Sequence, residues 1–276
     1  MLLSKSWYIR WKSSKQLQEM TDKTSPISIS RRLHEQEQFY FSPATLSAWL
    51  AVDRVTAYRL IARLRSSGLV TEVEKGKYLL LGLEPEHVLS NPFFVANHLV
   101  TPSYISYWSA LHFHGFTTQV PREVFCATTR KKRPVTFREQ TFRYVTLQPR
   151  KFFGYRRETL GGLSVLIADE AKAIVDSLDQ SRYAGGILEV GQALHRALPE
   201  LEVGLLVEYA VRMEDKTLAS RLGFWLEMFG QRVDGLPASP SPVALDPTRP
   251  RTGTTDARWK VIINLPIPAS FTEGVG

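Results

Sequence analysis

Hydrophobic and polar positions alternate along this chain with two periods, and the period changes where turn residues intervene. From Ile27 to about Gln38 the spacing predicts a helix with Leu33 inward and Arg31 and Arg32 outward. Phe39-Tyr40-Phe41 reads as a short extended piece. Ser42-Pro43 is a helix start, a hydroxyl cap followed by proline in the first helical position. The helix Pro43–Leu50 has Leu46, Trp49 and Leu50 as its apolar face, and Ala51-Val52-Asp53 makes a turn. Asp53 caps a second helix, Arg54 to Ser67, on which Ala57, Leu60, Ile61 and Leu64 form one buried stripe. Thr56, Arg59, Arg63 and Ser66 are assigned to its outer face, and Gly68 stands where such a helix ends. Two β-prone runs, Leu69–Glu74 and Lys77–Leu81, flank Lys75-Gly76 and read as a hairpin. A helix, a helix-turn-helix and a hairpin in this order predict a winged helix over 26–82, preceded by a polar, aromatic-containing leader arm, 1–25, with Trp7, Tyr8 and Trp11.

The pattern of 83–276 predicts a mixed α+β domain, and the whole chain is read as α+β. Ser103 is expected to cap a helix carrying Ile105, Trp108 and Leu111 that stops at Gly115. Strands are expected at 124–128, 141–147, 155–160 and 163–167, the last two joined by Gly161-Gly162. Helices follow near 170–178, 186–198, 204–213 and 217–229. A small, mainly antiparallel sheet flanked by helices fits this order. The segment 236–256 is rich in Pro, Ser and Thr and reads as irregular, with Trp259–Leu265 apolar enough to return to the core.

Charge sharpens the picture. The net +8 is uneven: residues 1–82 carry 13 basic against 7 acidic side chains, 83–160 carry 11 against 5, and 161–235 reverse to 7 against 12. A basic first half points to a polyanion, nucleic acid first. An α-helix fits the major groove of B-form DNA, where Arg and Thr can bond base edges or phosphates. Thr56 and Arg59 are the candidates for base edges, Arg54 and Arg63 for phosphates, and Lys75 and Lys77 for backbone or minor groove. Arg130, Lys131, Lys132 and Arg133 form a basic loop between two strands, either a second phosphate contact or simply a solvated loop. Arg138, Arg143, Arg150, Lys151, Arg156 and Arg157 around it favour a basic surface, and Phe152, Phe153 and Tyr155 are either base-stacking or core. Winged helices also serve as protein-interaction modules, with such arginines solvated.

Candidate chemistry is sparse. A single cysteine, Cys126, allows neither an intrachain disulfide nor a Cys-rich zinc cage, and on a strand it reads as an inert buried thiol. His112 and His114 point apart at helical spacing i, i+2, and no third ligand has a metal-site spacing. No cofactor, metal or catalytic residue is assigned. Asp169, Glu170 and Lys172 contain the Glu-x-Lys spacing of metal-dependent nucleases. The following residues read as a helix, which makes Asp169 an N-cap and Glu170 a first-turn acid instead. No run is long and apolar enough for a membrane span, no secretory apolar run follows Met1, and a cytoplasmic location is expected.

Segments from 27 to about 265 resemble the AbiEi-type antitoxins of bacterial abortive-infection systems. They are Ser42–Leu81, Tyr104-Ile105-Ser106 with Ser109-Ala110-Leu111 and Gly115-Phe116, and Val165–Lys172. Ala184-Gly185-Gly186 with Glu189-Val190, Arg221–Glu227, Leu245-Asp246-Pro247 and Arg258-Trp259 continue the pattern. Glu170 stands where family members often have proline, and the leader is longer and more basic than the family pattern. The resemblance implies an autorepressor that binds inverted repeats of double-stranded DNA in its own promoter. It also implies an antitoxin domain counteracting a nucleotidyltransferase-type toxin, by a route commonly described as indirect and without a stable complex. A standalone winged-helix repressor without a toxin is the main alternative, and a Mg-dependent nuclease a lesser one.

Overall fold

The computed structural model of the protein describes residues 25–271, so all of the leader but its last residue lies outside the described residues. The chain is α+β and divides into two compact units, 1–98 and 99–276.

In the first unit, α1 (Pro26–Glu35) starts where the Ser25 hydroxyl accepts from the Ser28 amide. It buries Ile29, Ser30 and Leu33. It stops before Gln38 because Glu37 turns left-handed at φ 53°. The Gln38 amide then bonds back to the Leu33 carbonyl, closing the helix end. After β1 (Tyr40–Phe41), Ser42 caps α2 (Pro43–Leu50), whose Leu46 is buried while Trp49 and Leu50 are half-buried. Asp53 caps α3 (Arg54–Ser66), accepting from the Thr56 amide at 2.9 Å, and the stripe Ala57, Leu60, Ile61, Leu64 is buried. Gly68, at φ 70°, ends α3 with a bond from the Leu69 amide to the Leu64 carbonyl. β2 (Val70–Glu74) and β3 (Lys77–Leu80) pair antiparallel, and β1 joins the far side of β3. Two short helices that the hydrophobic pattern does not predict follow, α4 (Pro85–Leu89) and α5 (Pro92–Leu99). The Phe94 and His98 rings hold α5 against Phe39, at 4.8 Å each.

The second unit is built on a six-stranded sheet with helices. Its strands are β4 (Ser103–Ile105), β5 (Glu123–Thr128), β6 (Val135–Phe137), β7 (Gln140–Thr146), β8 (Tyr155–Leu160) and β9 (Leu163–Ala168). Their order is β6-β7-β5-β4-β9-β8. This corrects one expectation. Ser103 does not cap a helix: Ser103-Tyr104-Ile105 is a fully buried strand between β5 and β9, and α6 (Tyr107–Phe113) begins after Ser106. Three buried residues have no periodicity that separates strand from helix, and pairing on both sides decides the matter. The sheet is mainly antiparallel as expected, in three of its five pairings, although β5 pairs parallel with β7 and β4 with β9.

Four helices follow: α7 (Glu170–Asp179), α8 (Ile187–Ala197), α9 (Val203–Arg212) and α10 (Lys216–Met228). Within and beyond the segment read as irregular, β10 (Val243–Ala244) and β11 (Thr254–Thr255) pair with β12 (Val261–Ile263). Trp259, buried as expected, lies on α10 and donates its indole N–H to Glu227 at 2.6 Å. Gly223 makes room for that ring, because a Cβ there would sit 2.3 Å from Trp259 Cε3. Gly223→Ala is therefore expected to cost about 1–3 kcal/mol by overpacking. A thermal melt checks it, and an unchanged midpoint would mean that the ring can yield.

Candidate nucleic-acid interface

α3 carries four arginines. Arg54, Arg59 and Arg63 are exposed and carry no ion pair among the described residues. The helix itself contains no carboxylate. Arg65, by contrast, reaches Glu72 of β2 at 3.5 Å, which ties the helix to the hairpin.

Thr56 is placed differently from the expectation. It is half-buried, and its hydroxyl donates to Asp53 at 2.6 Å while its amide donates to the other carboxylate oxygen. These bonds from Thr56 hold the Asp53 carboxyl below its usual range. Thr56 thus completes the cap rather than standing on the outer face. With 3.6 residues per turn, the positions opposite the buried stripe are Val55, Arg59, Ala62 and Ser66, with Thr56 on a flank. Val55 and Tyr58 are exposed at 59% and 49%, although the charge pattern singles out neither. Counting rotation from the stripe is the signal in the sequence that finds Val55.

At the hairpin tip Lys75 is exposed and has no ion pair among the described residues. Lys77 lies 3.7 Å from Glu74, which also accepts a hydrogen bond from the Tyr40 hydroxyl. The tight turn is held by Gly76, whose amide donates to Glu72 at 2.8 Å. Lys75 is therefore the less committed of the two lysines.

In the second unit Arg130, Lys131 and Arg133 are exposed and Lys132 is half-buried in the loop between β5 and β6. Most of the surrounding cations do not extend this basic surface. Arg143 is bidentate on Glu123, Arg150 pairs with Glu214 at 3.3 Å, and Lys151 is buried against Asp179 at 2.7 Å. Arg156 grips Glu170 and Glu158, and Arg157 donates to the Ser164 hydroxyl. Arg138 remains exposed near the Phe137 ring. Phe153 is buried in the core and Phe152 is half-buried against Tyr104, whereas Tyr155 stacks on Tyr104 and stays exposed on its other side.

Asp169, Glu170 and Lys172 go three separate ways. Asp169 caps α7 through the Lys172 amide and accepts from the Tyr209 hydroxyl at 2.8 Å. Glu170 faces Arg156 and lies 3.5 Å from His114. Lys172 is fully buried and pairs with equally buried Asp176, one turn along α7. Hydrogen bonds from Arg156 hold the Glu170 carboxyl at about 2, below its ordinary 4.5. A carboxylate depressed in the folded state contributes stability above its unfolded pKa and loses it as pH falls through the folded value. The stability difference between the parent and Glu170→Gln is thus expected to be largest above pH 4.5 and to shrink toward pH 2. Urea midpoints across that range measure it, and a pH-independent difference would show that the contact is too solvated to matter.

The two histidines diverge, with His114 Nε2 at 2.8 Å from the Ala168 carbonyl and His112 Nδ1 buried without a partner among the described residues. Among the described residues no three His, Cys, Asp or Glu side chains gather so as to hold a metal ion. Cys126 is buried in β5, and burial pushes its thiol up, away from the reactive thiolate. No described helix is long and apolar enough to cross a membrane.

No protein-family model matches this chain, and no curated protein matches it. Among solved structures, the RV2827C protein from Mycobacterium tuberculosis is similar to it at 10% identity with a TM-score of 0.49, over 84% of this chain and 89% of that one.

Proposed function

We propose that residues 26–82 act as a winged helix-turn-helix that binds double-stranded DNA through α3, and that the protein is a transcriptional autorepressor. The observation that carries this reading is the cationic exposed side of α3, with Arg59 opposite the buried stripe and Arg54 and Arg63 on its two flanks, all exposed and free of ion pairs among the described residues, on a helix without carboxylates. The helix–strand–helix–helix–hairpin order supports it, because that arrangement presents the helix after the turn to a groove and the hairpin to the flanking backbone. Arg59 is assigned to a base edge, Arg54 and Arg63 to phosphates, and Lys75 to backbone at the hairpin tip. Lys77 and Thr56 have weaker claims, since Glu74 and Asp53 engage them.

The second unit is proposed as the antitoxin part of a type IV toxin–antitoxin pair in abortive phage infection. This rests on the resemblance of its segments to AbiEi-type antitoxins. Growth rescue on co-expression with an adjacent nucleotidyltransferase gene tests it, and a lone gene with no such neighbour favours the standalone repressor. The nuclease alternative has little support, because buried Lys172 is engaged by Asp176 and Glu170 by Arg156.

The decisive test is binding of the full chain to its own upstream DNA and to scrambled DNA across a salt series. Preference for the upstream fragment is expected, with affinity falling as salt rises. Salt-dependent binding without preference would leave a general polyanion binder, and no binding would turn attention to a protein partner. Replacing Arg130, Lys131, Lys132 and Arg133 by glutamine is expected to weaken both DNAs alike, lowering the salt slope by about 1 for each phosphate that is no longer neutralised. An unchanged slope would return this loop to the solvated surface.

A further inference from the structure

The proposed DNA-binding face is not uniformly polar. On it, one turn before Arg59, Val55 is 59% exposed, with Tyr58 nearby at 49%. A β-branched apolar residue so open to water in the first turn of a helix does nothing for the fold, whose core stripe lies on the opposite side. Thr56, the neighbouring residue that could have offered a hydroxyl, is turned into the cap by Asp53. The N-terminal end of α3 therefore leads with an isopropyl group. Arg59, one turn along the same face, and the exposed Arg54 and Arg63 on the flanks make this end of the helix positive, which is complementary to a phosphate backbone and not to an apolar protein surface.

An isopropyl group has no donor or acceptor, so in the major groove it distinguishes bases through one feature, the 5-methyl group of thymine. Resting on the DNA-binding reading above, we infer that Val55 selects thymine by packing against that methyl group, at one base pair in each bound site. Arg59 supplies hydrogen bonds beside it, and the two together read adjacent positions. The methyl contact is apolar and releases no counterions. Its contribution stays constant as salt rises, while total affinity falls.

The test starts with the full chain and a random-sequence duplex library, from which bound DNA is selected and sequenced. Each thymine of the selected site is then replaced in turn by deoxyuridine, which removes the methyl group and nothing else. At one thymine the parent protein is expected to lose about fourfold in affinity, the worth of one buried methyl group. Val55→Ala, whose exposed position leaves the fold intact and whose single methyl reaches less far, is expected to lose most of that thymine-over-uracil difference. The thymine-to-uracil ratio of the parent should not change with salt. Selection of a site at which no uracil replacement matters, or an effect that survives Val55→Ala, overturns the thymine inference and leaves DNA binding standing. If no sequence is enriched, sequence-specific DNA binding itself fails and the inference falls with it.

Discussion

Lys172→Met is expected to lower the unfolding free energy of the second unit by about 3–5 kcal/mol, the cost of leaving one member of a buried ion pair alone. Lys172 and Asp176 are both inaccessible to solvent. The Asp176 carboxylate receives the Lys172 ammonium on one oxygen. On the other it accepts the hydroxyls of Tyr104, at 2.9 Å, and Ser106, at 2.7 Å. The ammonium also lies 4.5 Å from the centre of the Phe153 ring and 3.5 Å from the Met213 sulfur. Methionine keeps most of the packing but removes the charge, so a carboxylate stays buried with hydroxyl donors alone. A double substitution, Lys172→Met with Asp176→Leu, is expected to recover part of the loss, because desolvating both charges offsets much of their attraction. Urea unfolding followed by tryptophan fluorescence reads both variants. A loss below about 1 kcal/mol for the single variant would show that water reaches the pair.

Replacing Arg54, Arg59 and Arg63 together by alanine is expected to lower affinity for the upstream DNA at least 100-fold, or about 3 kcal/mol. Each arginine facing a base edge or a phosphate is worth about 1–3 kcal/mol, with losses that do not add perfectly. The salt slope should fall by about 1 for every phosphate left without its arginine. Folding should be little affected, since all three side chains are exposed and unpaired among the described residues. Titration of labelled duplex at two salt concentrations measures the change. A loss under threefold would remove α3 from the interface and leave the hairpin and the basic loop as the remaining candidates.

The local grammar of the first unit is legible in the chain. Ser42-Pro43, Asp53 and Gly68 mark helix ends by chemistry that needs no distant partner, and each lies where the structure starts or stops a helix. The end of α1 is less legible, because Glu37 takes a left-handed conformation that glycine usually supplies. The candidate site is half legible. The arginines of α3 follow from composition, whereas the engagement of Thr56 does not, because a helical wheel places it on a flank but does not show its hydroxyl folding back onto its own cap.

By itself, then, the sequence determined the α+β class, the capped helices, the β2–β3 hairpin and the concentration of positive charge in the first 160 residues. These depend on neighbours a few positions apart. The tertiary structure decided that Ser103–Ile105 is a central strand, that the sheet is mixed, and that β10 and β11 pair with β12. It also decided which cations are spoken for: Arg143, Arg150, Lys151 and Arg156 meet carboxylates distant in the chain or across strands, and Lys172 is buried whole. The reason is common to all of these. Strand pairing and ion pairing join residues far apart in sequence, and neither a three-residue run nor a lysine carries in its own neighbourhood the identity of the partner it will meet.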